Sequence, residues 1–194
     1  MIIGLTGQTG AGKSTVCDFL REKGLFIVDC DKVARNVTEK GSKTLDLLAE
    51  AFGSDIILSD GTLNRKELAS RAFQSAEKTA LLNSITHPAI INAINNVIKE
   101  RKNENIILDA PTLIESGAYK LCDKIVSVLA DANIRKERII ARDDISYAEA
   151  EKRMSAQKDD SFYKEYSDAV IFNDGDKLAV RKSAESIFSK IGVL

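Results

Sequence analysis

The sequence predicts an α/β protein: a parallel sheet with helices on both faces, interrupted by an inserted block of helices. Three observations carry this. Apolar runs of strand length recur at 1–5, 25–28, 106–108, 125–130 and 169–172. Segments of helical period lie between them, and such alternation argues for a parallel, doubly covered sheet. From 32 to 101 the alternation stops and consecutive helices are expected, with one turn at Ser59-Asp60-Gly61-Thr62.

Each element has its own local reason. After the first strand, Val16, Phe19 and Leu20 mark one face of a helix. The second strand ends in Asp29-Cys30-Asp31. Within the helical block, Leu45, Leu48, Ala49 and Phe52 form an apolar stripe. Ile90, Ile94, Val97 and Ile98 form another, at i, i+4, i+7 and i+8. His87-Pro88 is expected to open that long helix. The third strand ends in Asp109, a basic helical stretch follows the fourth, and Asn173-Asp174-Gly175 after the last reads first as a turn. Those residues could also lie against a nucleotide base.

Composition narrows the class. The chain has 194 residues, 44% hydrophobic and 29% charged, with a net charge of −1. That is one ordinary globular domain, with no general nucleic-acid or membrane surface. No secretory signal is visible at the N-terminus, and no apolar run approaches the ~20 residues of a membrane span. Cys17, Cys30 and Cys122 are scattered, without a C-x-x-C pair, and there is one histidine. A reducing cytoplasm is expected, without disulfides or structural zinc.

The first strand end carries the most chemistry. Gly7-Gln8-Thr9-Gly10-Ala11-Gly12-Lys13-Ser14, followed by Thr15, fits G-x-x-x-x-G-K-[ST] at every position. A strand precedes it and an amphipathic helix follows, as a phosphate-binding P-loop requires. Glycines let successive N–H groups curl round phosphate oxygens, and the helix N-terminus adds its dipole. Lys13 can meet the outer phosphates and Ser14 can ligate Mg²⁺, a hard ion preferring oxygen. ATP or GTP with Mg²⁺ is the expected ligand.

Other strand ends supply carboxylates. Asp29 and Asp31, with Arg35 after them, could orient or deprotonate an attacking hydroxyl and hold Mg²⁺ through water. Asp31 is equally a candidate N-cap for the next helix. Asp109 ends an apolar strand, the pattern of the metal-holding aspartate of P-loop proteins. The continuation Asp109-Ala110-Pro111-Thr112 lacks the Asp-x-x-Gly of GTPase switches, and no Asn-Lys-x-Asp motif follows, and both absences lower the GTPase reading. Among Arg135, Lys136, Arg138 and Arg142, the last two share a helix face and are the phosphate-binding candidates. Arg135 and Lys136 stay open. A solvated basic face is the alternative for all four. His87 is a structural or substrate-binding candidate.

In this order the motifs resemble the dephospho-CoA kinase family. After the phosphate loop come D-x-D-x-x-x-R as Asp29 to Arg35 and G-x-L-[DN]-R as Gly61-Thr62-Leu63-Asn64-Arg65. I-x-H-P follows as Ile85-Thr86-His87-Pro88, then D-x-P-L-L-x-E as Asp109-Ala110-Pro111-Thr112-Leu113-Ile114-Glu115. E-R-x-x-x-R is Glu137 to Arg142, R-x-x-x-Q is Arg153 to Gln157, and the last motif ends in Asn173-Asp174-Gly175. The chain departs at Gln8-Thr9, where the family usually has Gly-Ile, at Ala11, where it usually has Ser, at Thr112, which replaces leucine, and at Ser167, which replaces alanine.

The resemblance implies a P-loop NTPase fold with a nucleotide-binding core (1–31, 102–135 and 168–194), a helical CoA unit (32–101) and a helical lid (136–160). It implies transfer of the ATP γ-phosphoryl group, with Mg²⁺, to the ribose 3′-hydroxyl of dephospho-CoA. Asp31 would be the general base, with Lys13, Arg138 and Arg142 at the phosphates. Gly7 to Thr15, Asn173 and Gly175 would hold the nucleotide. Asp29, Asp31, Arg35, His87 and Asp109 would hold the acceptor, and Ser14, with Asp29 or Asp109, the metal. No nucleic-acid, membrane or obligate protein partner is implied. A kinase of another nucleotide or small alcohol is the runner-up. A nucleotide-dependent binding switch is a third reading.

Overall fold

The computed structural model describes residues 1–194. In chain order the elements are β1 (Ile2–Gly7), α1 (Lys13–Glu22), β2 (Phe26–Asp29), α2 (Cys30–Asn36), α3 (Lys43–Phe52), α4 (Arg65–Ala72), α5 (Ala76–Glu100), β3 (Ile106–Asp109), β4 (Lys124–Leu129), α6 (Ala132–Asp143), α7 (Tyr147–Ser155), α8 (Asp160–Tyr166), β5 (Ala169–Phe172) and α9 (Lys177–Ile191). The five strands lie in the order β2-β3-β1-β4-β5. β1 pairs in parallel with β3 on one side, Ile3 against Ile107, and with β4 on the other, Gly4 against Ile125; β4 pairs in parallel with β5.

Strand alternation sorts the side chains to two covered faces. Ile3, Leu5, Ile107, Val126, Val128 and Ile171 share a core with Val16, Phe19 and Leu20 of α1 and Val180, Ala184 and Phe188 of α9. Leu129, next to Val128, points the other way and packs with Ile114 and Tyr163 of α8. Burying a Leu or Phe here contributes roughly 1.5–3 kcal/mol. Leu20 is 0% exposed, so Leu20→Ala costs about 2–5 kcal/mol. Gly4 faces the second layer, where a Cβ would collide with the Leu113 side chain.

The chain divides into two compact units, 1–28 with 103–194, and 29–102. The second is all helix, around Leu48, Phe52, Ile56, Leu68 and Ala72, with Leu82 and Ile85 of α5 packed against them. Ser42, Asn64 and Ser75 cap α3, α4 and α5 by accepting backbone N–H groups. Arg71 joins Glu67 and Asp55. An apolar cavity of about 220 Å³ opens among Ala34, Leu48, Leu68 and Ile90, with Thr38 and Arg65 as polar members.

One expectation about this unit is corrected. His87-Pro88 does not open the long helix; α5 starts after Ser75 and runs through Pro88. Pro88 removes one N–H bond and crowds the preceding turn, at a cost of about 3 kcal/mol. Apolar burial on both sides, Leu82 and Ile85 before it and Ile94 at 0% exposure after it, keeps the helix continuous.

No helix is long and apolar enough to cross a membrane.

Candidate active site

The loop between β1 and α1 is a cradle of backbone donors. Gly7 has φ +142° and Gly12 φ +92°, where any other residue is strained. Space excludes a side chain as well: a Cβ on Gly7 would overlap the Val128 carbonyl, and one on Gly12 the Asn173 amide. Ala11 N–H closes the turn on the Gln8 carbonyl at 3.1 Å, and α1 starts at Lys13.

Lys13 is held at the end of the sheet by a carboxylate. Its Nζ lies 2.9 Å from Asp109 Oδ1, with the two side chains 15% and 20% exposed. Asp109 ends β3 beside β1, so the parallel register alone brings it there. Burial pushes the Cys17 thiol far up, and the adjacent Asp109 charge pushes it further. It stays a neutral thiol beside the ion pair.

The α6 helix supplies the arginines. Asp131 caps it, accepting from the Asn133 and Ile134 N–H groups. Its own N–H donates to Asp174 Oδ1 at 2.7 Å, fixing the turn after β5. Asn173 is 5% exposed, and its amide donates to the Ala11 carbonyl at 2.8 Å, bracing the phosphate loop. Arg138 donates to the Asn173 carbonyl at 3.0 Å and reaches the Gly10 and Gly175 carbonyls at 3.5 Å each. It therefore lies along the loop that carries the N–H cradle.

Arg142, one turn on, is turned to Asp143, donating from Nε at 2.8 Å and Nη2 at 2.9 Å. These bonds, with Arg153 on the same carboxylate, hold Asp143 below the usual carboxylate range. Lys136 donates to Tyr147 Oη and Glu151, joining α6 to α7.

Arg135 is the residue that sequence reasoning left open and the structure singles out. It is 5% exposed, and burial lowers its pKa, although a guanidinium stays charged. Its Nε donates to the Thr9 carbonyl at 3.0 Å, and Nη2 lies 3.5 Å from Gln157 Oε1. Gln157 accepts the Thr9 N–H at 2.9 Å. Arg135 and Arg138 are three residues apart and so face the loop together; that spacing was the available signal. Beside them a cavity of about 410 Å³ is lined by Gln8, Arg135, Gln157, Lys158, Asp159 and Asp160, among others.

Asp29, Asp31, Arg35 and His87 belong to the helical unit. The residue that caps α2 is Asp29, which accepts the Lys32 N–H at 2.9 Å, while Asp31 lies in the first turn. Capping needs extended backbone before the first helical residue, and Asp29 supplies it as the last residue of β2. The Arg35 carbonyl accepts from Arg65 at 3.2 Å, and Arg65 also meets Thr38. His87 lies inside α5.

The donor chemistry fits Mg²⁺. No group of three or more His, Cys, Asp or Glu could hold a metal by itself. Ser14 in the first turn of α1 and Asp109 are hard oxygen donors on the loop side of the sheet. Mg²⁺ is commonly bound by one or two such groups together with nucleotide phosphates and water.

The protein-family model described as dephospho-CoA kinase matches residues 1–178. A protein named dephospho-CoA kinase from Corynebacterium efficiens is 38% identical, the alignment covering 97% of this chain and 96% of the relative. A crystal structure from Thermus thermophilus superposes with a TM-score of 0.85 at 26% identity, covering 98% of this chain and 97% of that one. The structure titled dephospho-CoA kinase from Campylobacter jejuni gives 0.74 at 23% identity, covering 98% and 96%, and speaks for the fold. The chain therefore belongs to the dephospho-CoA kinase family.

Proposed function

We propose that this protein transfers the γ-phosphoryl group of ATP to the ribose 3′-hydroxyl of dephospho-CoA, giving coenzyme A and ADP, the last step of coenzyme A synthesis. The observation that carries the reading is Lys13, at the mouth of the glycine cradle and 2.9 Å from Asp109, in a chain of this family. The bond from the γ-phosphorus to the bridging oxygen of ADP breaks. A bond to the acceptor oxygen forms. The hydroxyl proton passes to the Asp31 carboxylate. Such a transition state is loose, so positioning and charge neutralisation matter more than a strong base.

The roles divide by position. The N–H groups of Gly7 to Thr15 and Lys13 hold the phosphates of ATP. Arg138 and Arg142 neutralise charge on the group in transit, Arg142 first giving up its contact with Asp143. Ser14 and Asp109 would hold Mg²⁺, which would supply neutralisation of phosphate charge. Asp29, Arg35 and His87 hold the acceptor. Asn173 and Gly175, next to the loop, border the nucleotide. The segment 136–160 covers the site and excludes water, which otherwise competes with the acceptor. Cys17, Cys30 and Cys122 form no disulfide, which suits a reducing cytoplasm.

The test is a direct assay with ATP, Mg²⁺ and dephospho-CoA, the product identified by mass and by the position of the new phosphate. A panel of nucleoside monophosphates and small alcohols runs beside it. Turnover of one of those in place of dephospho-CoA would replace the acceptor. ATP binding with no turnover of any acceptor would leave a binding switch.

A further inference from the structure

The side chain of Gln8 has no work in the phosphate cradle, which is built from main-chain N–H groups. It is nevertheless 4% exposed. Its Nε2 donates to the carbonyl of Lys158, 150 residues away, at 3.1 Å. Its Oε1 is buried and has no hydrogen-bond partner. A buried acceptor without a donor costs stability, so packing alone is a poor account of a glutamine here. A methionine of similar volume would fill the space without that cost.

The next residue is tied to the same place. Thr9 N–H donates to Gln157 Oε1 at 2.9 Å, and the Thr9 carbonyl accepts from Arg135. Residues 8 and 9 of the phosphate loop are thus strapped to residues 157 and 158, at the joint between α7 and α8. Gly10, Ala11 and Gly12, which follow, are braced by different partners, Arg138 and Asn173.

We propose that Gln8 is a positioning residue that acts through the Lys158 carbonyl. It latches the α7–α8 joint to the first half of the phosphate loop and so fixes the N–H of Thr9 and the Arg135 guanidinium before ATP arrives. The stability lost at Oε1 is the cost of keeping a donor aimed at Lys158 from inside the loop. This proposal rests on the nucleotide reading of the loop and is independent of which acceptor is phosphorylated.

The decisive variant is Gln8→Met, which keeps the volume and removes both polar atoms. Loss of the latch is expected to speed hydrogen exchange of residues 154–160 in the free protein and to raise the Kd and KM for ATP, each by about 3- to 10-fold, the range of one net hydrogen bond. The kcat is expected to stay within about 2-fold and the Tm at or above that of the wild type, because the orphan acceptor is gone. Gln157→Met removes the other strap and repeats the test from the α7–α8 side. The double variant should weaken ATP by less than the product of the two single effects, since both act on one joint. Unchanged exchange and unchanged ATP affinity in Gln8→Met would overturn the latch. So would a lower Tm with kcat and KM degraded together, which is the mark of a packing residue. Absence of ATP binding by the wild-type protein in the same titration would instead remove the nucleotide reading itself.

Discussion

Lys13 Nζ sits 2.9 Å from Asp109 Oδ1 across two neighbouring strands, both side chains mostly shielded from water. The lysine belongs to the loop that begins α1 and the aspartate to the end of β3, so the pair reports the parallel register of β1 and β3 directly. It holds one cation and one anion together at the end of the sheet, beside the glycine loop. Lys13→Ala should lower kcat by about 100-fold or more, the scale for loss of one charge-stabilising donor. Circular dichroism should show the fold retained. Turnover near the wild-type rate would remove Lys13 from the reaction.

Asp29 and Asp31 should part company in their effects. Asp29 caps α2, so Asp29→Ala should cost about 1 kcal/mol of stability, read as a lower midpoint in urea. Asp31→Asn should lower kcat about 10²- to 10⁴-fold, with circular dichroism showing the fold retained. Normal turnover in Asp31→Asn would remove it as the base.

Asn173→Ala takes the donor from the buried Ala11 carbonyl. That should cost about 1–3 kcal/mol and loosen the loop, with the Kd for ATP rising as well. A calorimetric titration of the variant with ATP checks it. Full affinity would show that the loop keeps its shape without Asn173.

Arg138 and Arg142 should also separate. Arg138 is tied to the Gly10, Asn173 and Gly175 carbonyls, so Arg138→Ala should disturb both ATP binding and kcat. Arg142 instead donates from Nε and Nη2 to its neighbour Asp143. Arg142→Ala should leave ATP affinity within about 2-fold and lower kcat by about 10-fold or more, as an interaction made only in the transition state does. A change in ATP affinity without a change in kcat would reverse that assignment.

The thiols give a pH prediction. Burial pushes Cys122 up to about 12 and Cys17 higher still. A group whose pKa is raised stays protonated below that value, and the thiolate is the reactive form. Neither should react with an alkylating reagent between about pH 7 and 9 in the native protein, and both should react once it is unfolded. Rapid native labelling of Cys17, followed by peptide mapping, would contradict the buried ion-pair environment.

Much of the fold was legible because burial is periodic along the chain. The five apolar runs became the five strands, and the stripes at Val16–Leu20 and Leu45–Phe52 became α1 and α3. The start of α5 was misplaced because Pro88 is a strong local breaker, and only the packing of Leu82, Ile85 and Ile94 outweighs it. Asp31 was one candidate cap of α2, and Asp29 takes that place because β2 ends there, which no local pattern shows.

By itself the sequence determined the phosphate loop, the carboxylates at the strand ends and the alternation that makes a parallel sheet. Those are local matters: a glycine spacing, a charge after an apolar run, a period of two or 3.6 residues. The tertiary structure decided which basic residue meets which carbonyl. It buried Arg135 against Thr9, set Arg138 on the Gly10 carbonyl and brought Gln8 to Lys158. Contacts between residues more than a hundred positions apart depend on strand register and on where α6 leaves the sheet, and no local pattern encodes them.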